Sequence, residues 1–176
     1  ENWRAGMTPD SIAGMRPAFK KDGTVTAANA SSINDGAAAV VVMSAEKAKE
    51  LGCTPMARIT GYATGGMDPE WVMLAPLISI RKLSDKLGMA PTDFDLHEIN
   101  EAFSAAACAL LQDLELDADK VNVNGGAVAL GHPIGASGTR ILVTLLHAMK
   151  QREAKTGMAS LCLGGGNAVS LAVEAL

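Results

Sequence analysis

Between about residue 55 and residue 176, segments with the short apolar period of strands alternate with segments that have the 3.6-residue period of helices. The sequence predicts strands at residues 57–62, 94–99, 121–123, 158–163 and 168–173, and helices at residues 76–87, 101–114 and 137–152. Three alternations predict an α/β domain with a mainly parallel sheet, because helical crossovers connect strands that run in the same direction. The last two strands are joined by a glycine-rich turn at residues 164–167, which predicts a hairpin and an antiparallel last strand.

Residues 1–54 follow a different pattern, with one apolar run at residues 37–43 and no second strand near it. A continuous apolar run predicts a strand that is buried on both faces. Such a strand needs neighbours in a sheet, and the preceding residues supply none. We therefore expect residues 1–54 to be the tail of a preceding domain, including its last strand, and residues 55–176 to form a separate domain. The first residue is Glu1 rather than Met, which favours a start further upstream.

Composition limits the possible functions. The chain is 48% hydrophobic and 19% charged, so we expect a substantial core. A net charge of -4 argues against a nucleic-acid partner, which requires a concentrated positive field. No apolar run approaches the roughly 20 residues that cross a bilayer, so no membrane partner is expected. The three cysteines form no C-x-x-C pair and no metal-ligand cluster, which favours free thiols in a reducing, cytoplasmic compartment.

Three short segments carry side chains that are suited to catalysis. They are Asn-Glu-Ala-Phe at residues 100–103, Gly-His-Pro-Ile-Gly-Ala-Ser-Gly at residues 131–138, and Cys-Leu-Gly-Gly-Gly at residues 162–166. Each segment ends a predicted strand or begins a predicted helix. Sites in open α/β sheets gather in loops of this kind.

His132 lies in a loop bounded by glycine and proline, just before a predicted helix. An imidazole there can accept a proton from a thiol, or donate a hydrogen bond to a developing oxyanion, near neutral pH. The alternative is a loop histidine that is exposed to solvent or stabilises the turn, and this is the commoner role of such a residue.

Cys162 and Asn100 each have two interpretations. The thiol of Cys162 can remove or return a proton, and the glycines after it can direct N–H groups at a carbonyl oxygen. It can equally be a small buried residue beside a glycine hairpin. The amide of Asn100 can hold a water or a carbonyl, whereas the more common use of such a residue is to cap the helix that follows. Cys108 is expected to lie in the middle of that helix, on or near its buried side, and to be inert.

Together, in this order and at these separations, the three segments resemble the thiolase family, which includes acetyl-CoA acetyltransferases and 3-ketoacyl-CoA thiolases. The Ala-Asn-Ala-Ser segment that begins at Ala28 is also similar to a stretch that follows the loop domain of this family. The resemblance implies a five-layer αβαβα core of two halves, each a mixed five-stranded sheet with helices on both faces. Residues 55–176 would form the second half, and residues 1–54 would end the first.

The resemblance also implies an activity: transfer of an acyl group between CoA thioesters, by Claisen condensation or by thiolytic cleavage of 3-oxoacyl-CoA. His132 would activate a nucleophilic cysteine, and Asn100 would hold the water that completes an oxyanion site. Cys162 would exchange the α-proton of the second substrate, and the N–H of Gly164 would contribute to the other oxyanion site.

For binding, the resemblance implies that Ser31 contacts the pantetheine arm of CoA and that Ala102 and Phe103 line its tunnel. Coenzyme A and acyl-CoA would be substrates, and no covalently bound cofactor is expected. The other expected partners are the missing N-terminal half of the thiolase and further copies of the chain in a homo-oligomer.

One departure from the family pattern is important. The nucleophilic cysteine of thiolases belongs to the first half, and neither Cys53 nor Cys108 matches it, so we expect the chain alone to be inactive. Two alternatives remain at this point. One is a condensing enzyme of the ketoacyl synthase type, although these generally lack a working cysteine at the position of Cys162. The other is a non-catalytic domain that only folds or associates.

Overall fold

The computed structural model describes residues 5–176, so the first four residues of the predicted segment 1–54 lie outside it. The strands are β1 (Ala57–Gly66), β2 (Leu96–Ile99), β3 (Thr156–Leu163) and β4 (Asn167–Ala175). The α-helices are α1 (Pro9–Ala13), α2 (Ala45–Glu50), α3 (Pro76–Leu87), α4 (Ser104–Asp113), α5 (Ala127–Leu130) and α6 (Ser137–Arg152), with 3-10 turns at Pro69–Leu74, Pro91–Asp93 and Ala118–Lys120. The predicted α/β alternation is confirmed.

The sheet has the strand order β1-β4-β3-β2. β2 pairs with β3 in parallel, whereas β4 pairs antiparallel with both β3 and β1. Three strands therefore run in one direction and the last strand runs opposite to them, as predicted. Because β4 lies inside the sheet rather than at its edge, two of the three ladders are nevertheless antiparallel.

The predicted strand at residues 121–123 contributes only one bridge to the sheet. It is a parallel bridge between Val121 and His97, a residue of β2. Asn122 has a left-handed backbone with a φ of 48°, which interrupts an extended conformation. Its side chain bonds the backbone N–H and C=O of Ile99 at 2.8 Å and 2.9 Å and so takes the place of a ladder. Within residues 5–176 the sheet thus has four strands, and the segment predicted as a fifth strand is joined to it by one bridge.

Helices cover both faces of the sheet. On one face, α3 and α4 pack against Met158, and on the other face α6 packs against Ala159. These two neighbours in β3 lie in different cores because consecutive residues of a strand point to opposite faces of the sheet. Ile80 and Leu83 are fully buried in the first core and Leu145 in the second. Each such side chain contributes about 1.5–3 kcal/mol through burial.

Helix α4 begins at Ser104, three residues later than predicted, because the residues before it bond to another segment. The N–H of Ser31 donates to the C=O of Ala102 at 2.9 Å, and Ala30 bridges Phe103. Asn100 is therefore not the cap of this helix. The prediction that Cys108 lies on or near the buried side of α4 is wrong: this side chain is exposed, because the helix directs Leu110 rather than Cys108 towards the core.

The predicted strand at residues 37–43 is also absent: this run makes no ladder bonds to the other described residues, and Val41 is 85% exposed. Among the described residues, no strand pairs with this run. Together with β1 and α6, it borders an apolar groove of about 740 Å³.

No helix within residues 5–176 is long and apolar enough to span a membrane.

Candidate active site

The candidate site lies at the carboxyl end of β2, where Asn100 follows the last strand residue. The N–H of Asn100 donates to the C=O of Ser160 at 2.9 Å, which extends the pairing of β2 with β3 by one residue. Asn100 is only 7% exposed. Because β2 and β3 are parallel, Cys162 near the end of β3 lies at the same edge of the sheet.

His132 reaches this edge from the loop before α6. Its N–H donates to the C=O of Ser32 at 2.9 Å, and a parallel bridge to Ile33 holds the backbone. Gly131 precedes it with a φ of 96°, and a Cβ at this position would collide with the side chain of Asn34. The glycine is therefore required both for the turn and for the close approach of the two segments.

Two side chains contact the ring of His132. Nδ1 lies 2.6 Å from Oγ of Ser137, the first residue of α6, and Nε2 lies 3.4 Å from Nδ2 of Asn100. Asn100 and His132, predicted separately from two segments, are thus brought together. Ser137 is fully buried and was not among the predicted site residues; its position five residues after His132 was the available signal.

The bonds of Ser137 determine the tautomer of His132. The Ser137 hydroxyl donates its single proton to the C=O of Pro133 at 3.0 Å, so its oxygen accepts a hydrogen bond from Nδ1–H of His132. Nε2 is then unprotonated and accepts from the amide of Asn100. This arrangement makes Nε2 the basic nitrogen, and it directs that nitrogen towards the carboxyl end of the sheet.

Electrostatics keep this imidazole neutral. Burial lowers the pKa of His132 below its usual value, and the nearby positive charge of Arg140 lowers this pKa further. A neutral ring with a free Nε2 can accept a proton from a thiol near neutral pH. The imidazolium that forms can then donate a hydrogen bond to an oxygen.

Two further charged residues lie behind the site, and sequence reasoning missed both. Glu98 on β2 is 3% exposed, and burial raises its pKa to about 7, against the attraction of Arg140. Burial lowers the pKa of Arg140 on α6 in turn. The available signal was a charged residue within a predicted strand. In the structure, all four positions of that strand are buried.

Cys162 is half-buried, and burial raises the pKa of its thiol. The hairpin that follows requires glycine at Gly166, which has a φ of 85° and lies against the backbone of Met67 and Pro69. Gly164 is exposed, and its carbonyl accepts a bond from the side chain of Asn167 at 3.3 Å. No hydrogen bond joins Cys162 to His132 within the described part of the chain.

The three residues predicted to bind CoA lie together. Ser31 bonds the backbone of Ala102, and the ring of Phe103 meets that of Phe19 edge-to-face with centroids 6.0 Å apart. Their segment runs on to Ile33 beside His132, so the predicted binding residues are connected to the candidate catalytic residues. Among residues 5–176, no group of three His, Cys, Asp or Glu side chains could hold a metal ion.

Comparison with known proteins identifies a family. Residues 53–175 match the model of the thiolase C-terminal domain, and residues 1–46 match that of the thiolase N-terminal domain. An acetyl-CoA acetyltransferase of Cupriavidus necator is 61% identical over 97% of this chain, and one of Pseudomonas aeruginosa is 56% identical over 97%. In both comparisons the chain covers 44% of the relative, so it spans less than half of the relative's length.

Solved structures are also similar. The crystal structure of the Bacillus anthracis acetyl-CoA acetyltransferase has a TM-score of 0.95 and 53% identity, over 98% of this chain and 44% of that protein. Human mitochondrial 3-ketoacyl-CoA thiolase in complex with CoA has a TM-score of 0.92 and 41% identity, over 100% of this chain and 45% of that protein. The fold, the matched domain models and the identities together show that the chain belongs to the thiolase family.

Proposed function

We propose that this chain supplies the acid/base and oxyanion-binding residues of an acyl transfer between CoA thioesters. This is the type of activity that the name of its acetyl-CoA acetyltransferase relatives states. The observation that carries the proposal is the 3.4 Å contact between Nδ2 of Asn100 and Nε2 of His132. A base and a neutral hydrogen-bond donor meet at one point of the sheet edge. Proton removal from a thiol and stabilisation of a thioester oxyanion both require groups of this kind.

In the proposed reaction, Nε2 of His132 accepts the proton of a nucleophilic thiol as its sulfur attacks the thioester carbon. The carbonyl oxygen becomes an oxyanion, which Asn100, through a water, and the His132 imidazolium stabilise. A preorganised donor of this type contributes about 2.7–4 kcal/mol to the transition state. When the oxyanion collapses, the carbon–sulfur bond to CoA breaks, and the leaving CoA thiolate takes the proton from the His132 imidazolium. The acyl group is then held on the nucleophile until the second substrate attacks it and the nucleophilic thiolate leaves.

Cys162 is proposed to exchange the α-proton of that second substrate. The α-carbon of a thioester is a weak acid and requires a strong base close to it. Burial raises the pKa of Cys162, and a thiolate with a raised pKa is a stronger base once it has formed. The N–H of Gly164 is proposed to stabilise the enolate oxygen.

The nucleophilic thiol is proposed to come from outside these 176 residues. Cys53 and Cys108 are both exposed, and neither lies in a segment that contacts His132. We expect no thiolysis of acetoacetyl-CoA by the purified chain. A chimera that joins the chain to the N-terminal part of the Cupriavidus necator relative should restore thiolysis.

The chimera permits a sharp test. Cys162→Ser and His132→Asn should each abolish thiolysis in the chimera, whereas Cys108→Ser on the exposed face of α4 should retain it. Full thiolysis by the Cys162→Ser chimera would contradict the proposal, as would turnover by the isolated chain. Decarboxylation of malonyl-CoA without thiolysis would instead support a ketoacyl synthase type of enzyme.

Coenzyme A is proposed as a substrate that lies along Ser31, Ala102 and Phe103. We also propose a reducing, cytoplasmic setting, which the free cysteines support.

Association of the chain with further copies of itself is proposed because Val41 and Val42 are 85% and 69% exposed beside an apolar groove. Light scattering during size-exclusion chromatography tests this: a monomer at all concentrations, for both the chain and the chimera, would contradict the expected homo-oligomer.

A further inference from the structure

Glu101, the residue after Asn100, connects two parts of the candidate site, and the proposed reaction assigns it no role. Its Oε1 atom accepts a hydrogen bond from the hydroxyl of Ser104, the first residue of α4, at 2.8 Å. Its Oε2 atom accepts a hydrogen bond from the backbone N–H of Val128 in α5 at 3.1 Å. Because α5 ends two residues before His132, one carboxylate joins the loop of Asn100 (residues 100–103) to the helix that leads to His132.

The start of α5 depends on this carboxylate. Gly126 is the N-cap residue of α5, and without a side chain it cannot accept from the free N–H groups of the first turn. An N-cap side chain normally accepts from the second or third N–H of a helix. Val128 is the second residue of α5, so Glu101 supplies the acceptor that the N-cap residue lacks, from a position 27 residues away in the chain.

Gly126 also permits the close approach of the Asn100 loop and α5. A Cβ at this position would lie 2.9 Å from the Cβ of Glu101 and would collide with its carboxylate. The φ of Gly126 is -120°, a value that other residues also adopt, so glycine is required here for space rather than for the turn. Packing this close transmits a displacement of one segment to the other.

The contact between Asn100 and His132 needs such a connection. Nδ2 of Asn100 and Nε2 of His132 are 3.4 Å apart, near the outer limit of a hydrogen bond, so this contact contributes little to holding the two residues together. Helix α5 is one turn of four residues, and a helix this short is not stable by itself. The N–H of Gly131 closes the turn by donating to the C=O of Ala127 at 2.8 Å. A displacement of α5 is therefore passed on to the next residue, His132.

On the basis of the function proposed above, we propose that Glu101 is a positioning residue for the acyl transfer: by joining the Asn100 loop to α5, its carboxylate sets the distance between the Asn100 amide and Nε2 of His132. Both groups must lie near the thioester oxygen at the same time to stabilise the oxyanion. A misplacement of about 1 Å can lower the rate of such a reaction about 10²-fold. Glu101 acts here as a hydrogen-bond acceptor, so an uncharged acceptor of the same shape should replace it.

Two substitutions in the chimera separate the acceptor from the charge. Glu101→Met has a similar length but no oxygen, and it should lower kcat for thiolysis about 10²-fold while the KM for CoA changes less than about two-fold. Glu101→Gln keeps an amide oxygen that can accept from the N–H of Val128, and it should retain most of the wild-type kcat. Glu174→Gln, which is exposed and lies near the end of β4 remote from the hairpin, is the control and should equal wild type.

Either of two kinetic results would overturn the proposal. One is a kcat for Glu101→Met within about two-fold of wild type, a change too small for a misplaced catalytic group. The other is an equal loss of kcat in Glu101→Gln and Glu101→Met, which would show that the charge is required rather than the accepted hydrogen bond.

A measurement without turnover tests the same connection. In the 176-residue chain with ¹⁵N-labelled histidine, the ring resonances of His132 are assigned by their loss in His132→Gln. The Nε2 resonance should move in Glu101→Met, because this nitrogen loses its hydrogen bond from Asn100, and it should stay in place in Glu101→Gln. An unmoved resonance in a folded Glu101→Met chain would overturn the proposal.

If Glu101→Met does not fold, Gly126→Ala tests the connection with every polar group present. The added Cβ pushes the Asn100 loop and α5 apart, so the Nε2 resonance of His132 should move and kcat of the chimera should fall. An unmoved resonance in this variant would overturn the proposal. Because the resonances do not depend on thiolysis, a wild-type chimera without activity would contradict the proposed function alone.

Discussion

Nδ2 of Asn100 lies 3.4 Å from Nε2 of His132, although 31 residues separate them in the chain. The two residues come from different motifs, one after β2 and the other before α6. The backbone bond from Asn100 to Ser160 and the bond from His132 to Ser32 hold them in place. A neutral hydrogen-bond donor and an unprotonated base therefore lie at one location.

Asn100→Ala should lower kcat/KM for thiolysis in the chimera by about 10²–10³-fold, because one preorganised oxyanion donor is lost. Steady-state kinetics with acetoacetyl-CoA measure the change. Gln112→Ala removes an exposed amide on α4 and is the matched control, with kinetics expected to equal wild type. A rate for Asn100→Ala within two-fold of the control would exclude the role of this amide.

Ser137→Ala should decrease the free energy of unfolding by about 1–2 kcal/mol, because His132 Nδ1–H loses its buried acceptor. Histidine ¹⁵N shifts should show a mixture of the two tautomers in the variant and a single one in the wild type. Ser84→Ala on α3 is the control: the Ser84 hydroxyl is buried without a partner in the described residues, so its removal should be neutral or stabilising. Equal effects of the two substitutions on stability would show that the Ser137 bond contributes nothing.

Cys162 should react with iodoacetamide more slowly than Cys53 and Cys108 at pH 8. Its thiol is half-buried and has a raised pKa, whereas the other two cysteines are exposed. Peptide mapping by mass spectrometry after timed quenching gives the three rates. Modification of Cys162 first would indicate an activated thiolate and would contradict the raised pKa.

Glu98→Gln should stabilise the chain above pH 7. Because the pKa of Glu98 is about 7 in the folded chain and about 4.5 when unperturbed, the native state binds the extra proton between these pH values. The free energy of unfolding therefore falls as pH rises through this window, by about 3 kcal/mol in total. Glutamine at position 98 cannot ionise, so the variant does not lose this free energy of unfolding.

Thermal melts at pH 4 and pH 8 measure this effect. The Tm of Glu98→Gln should exceed that of the wild type at pH 8 and should be similar to it at pH 4. Glu70→Gln, on the exposed surface, should retain the wild-type profile. Parallel profiles for Glu98→Gln and wild type would mean that Glu98 is ionised without cost.

Local signals in the sequence predicted most of the elements. Pro76 in the first turn and Gly88 with a φ of 66° bound α3 as predicted, and Ser44 caps α2 through the N–H of Lys47 at 3.1 Å. The position of β4 between β1 and β3 was not predictable in this way, because strand order depends on contacts between distant residues. The apolar run at residues 37–43 has the composition of a strand, but no strand among the described residues pairs with it.

By itself, the sequence determined the types of the main elements, the three motifs and the resemblance to thiolases, because periodicity, caps and motif residues are properties of neighbours in the chain. Only the tertiary structure decided that Asn100 meets His132, that Ser137 selects the tautomer, and that Glu98 and Arg140 are buried behind the site. Hydrogen bonds and pKa values depend on burial and on the distance between groups that are remote in sequence. Those quantities exist only once the chain has folded.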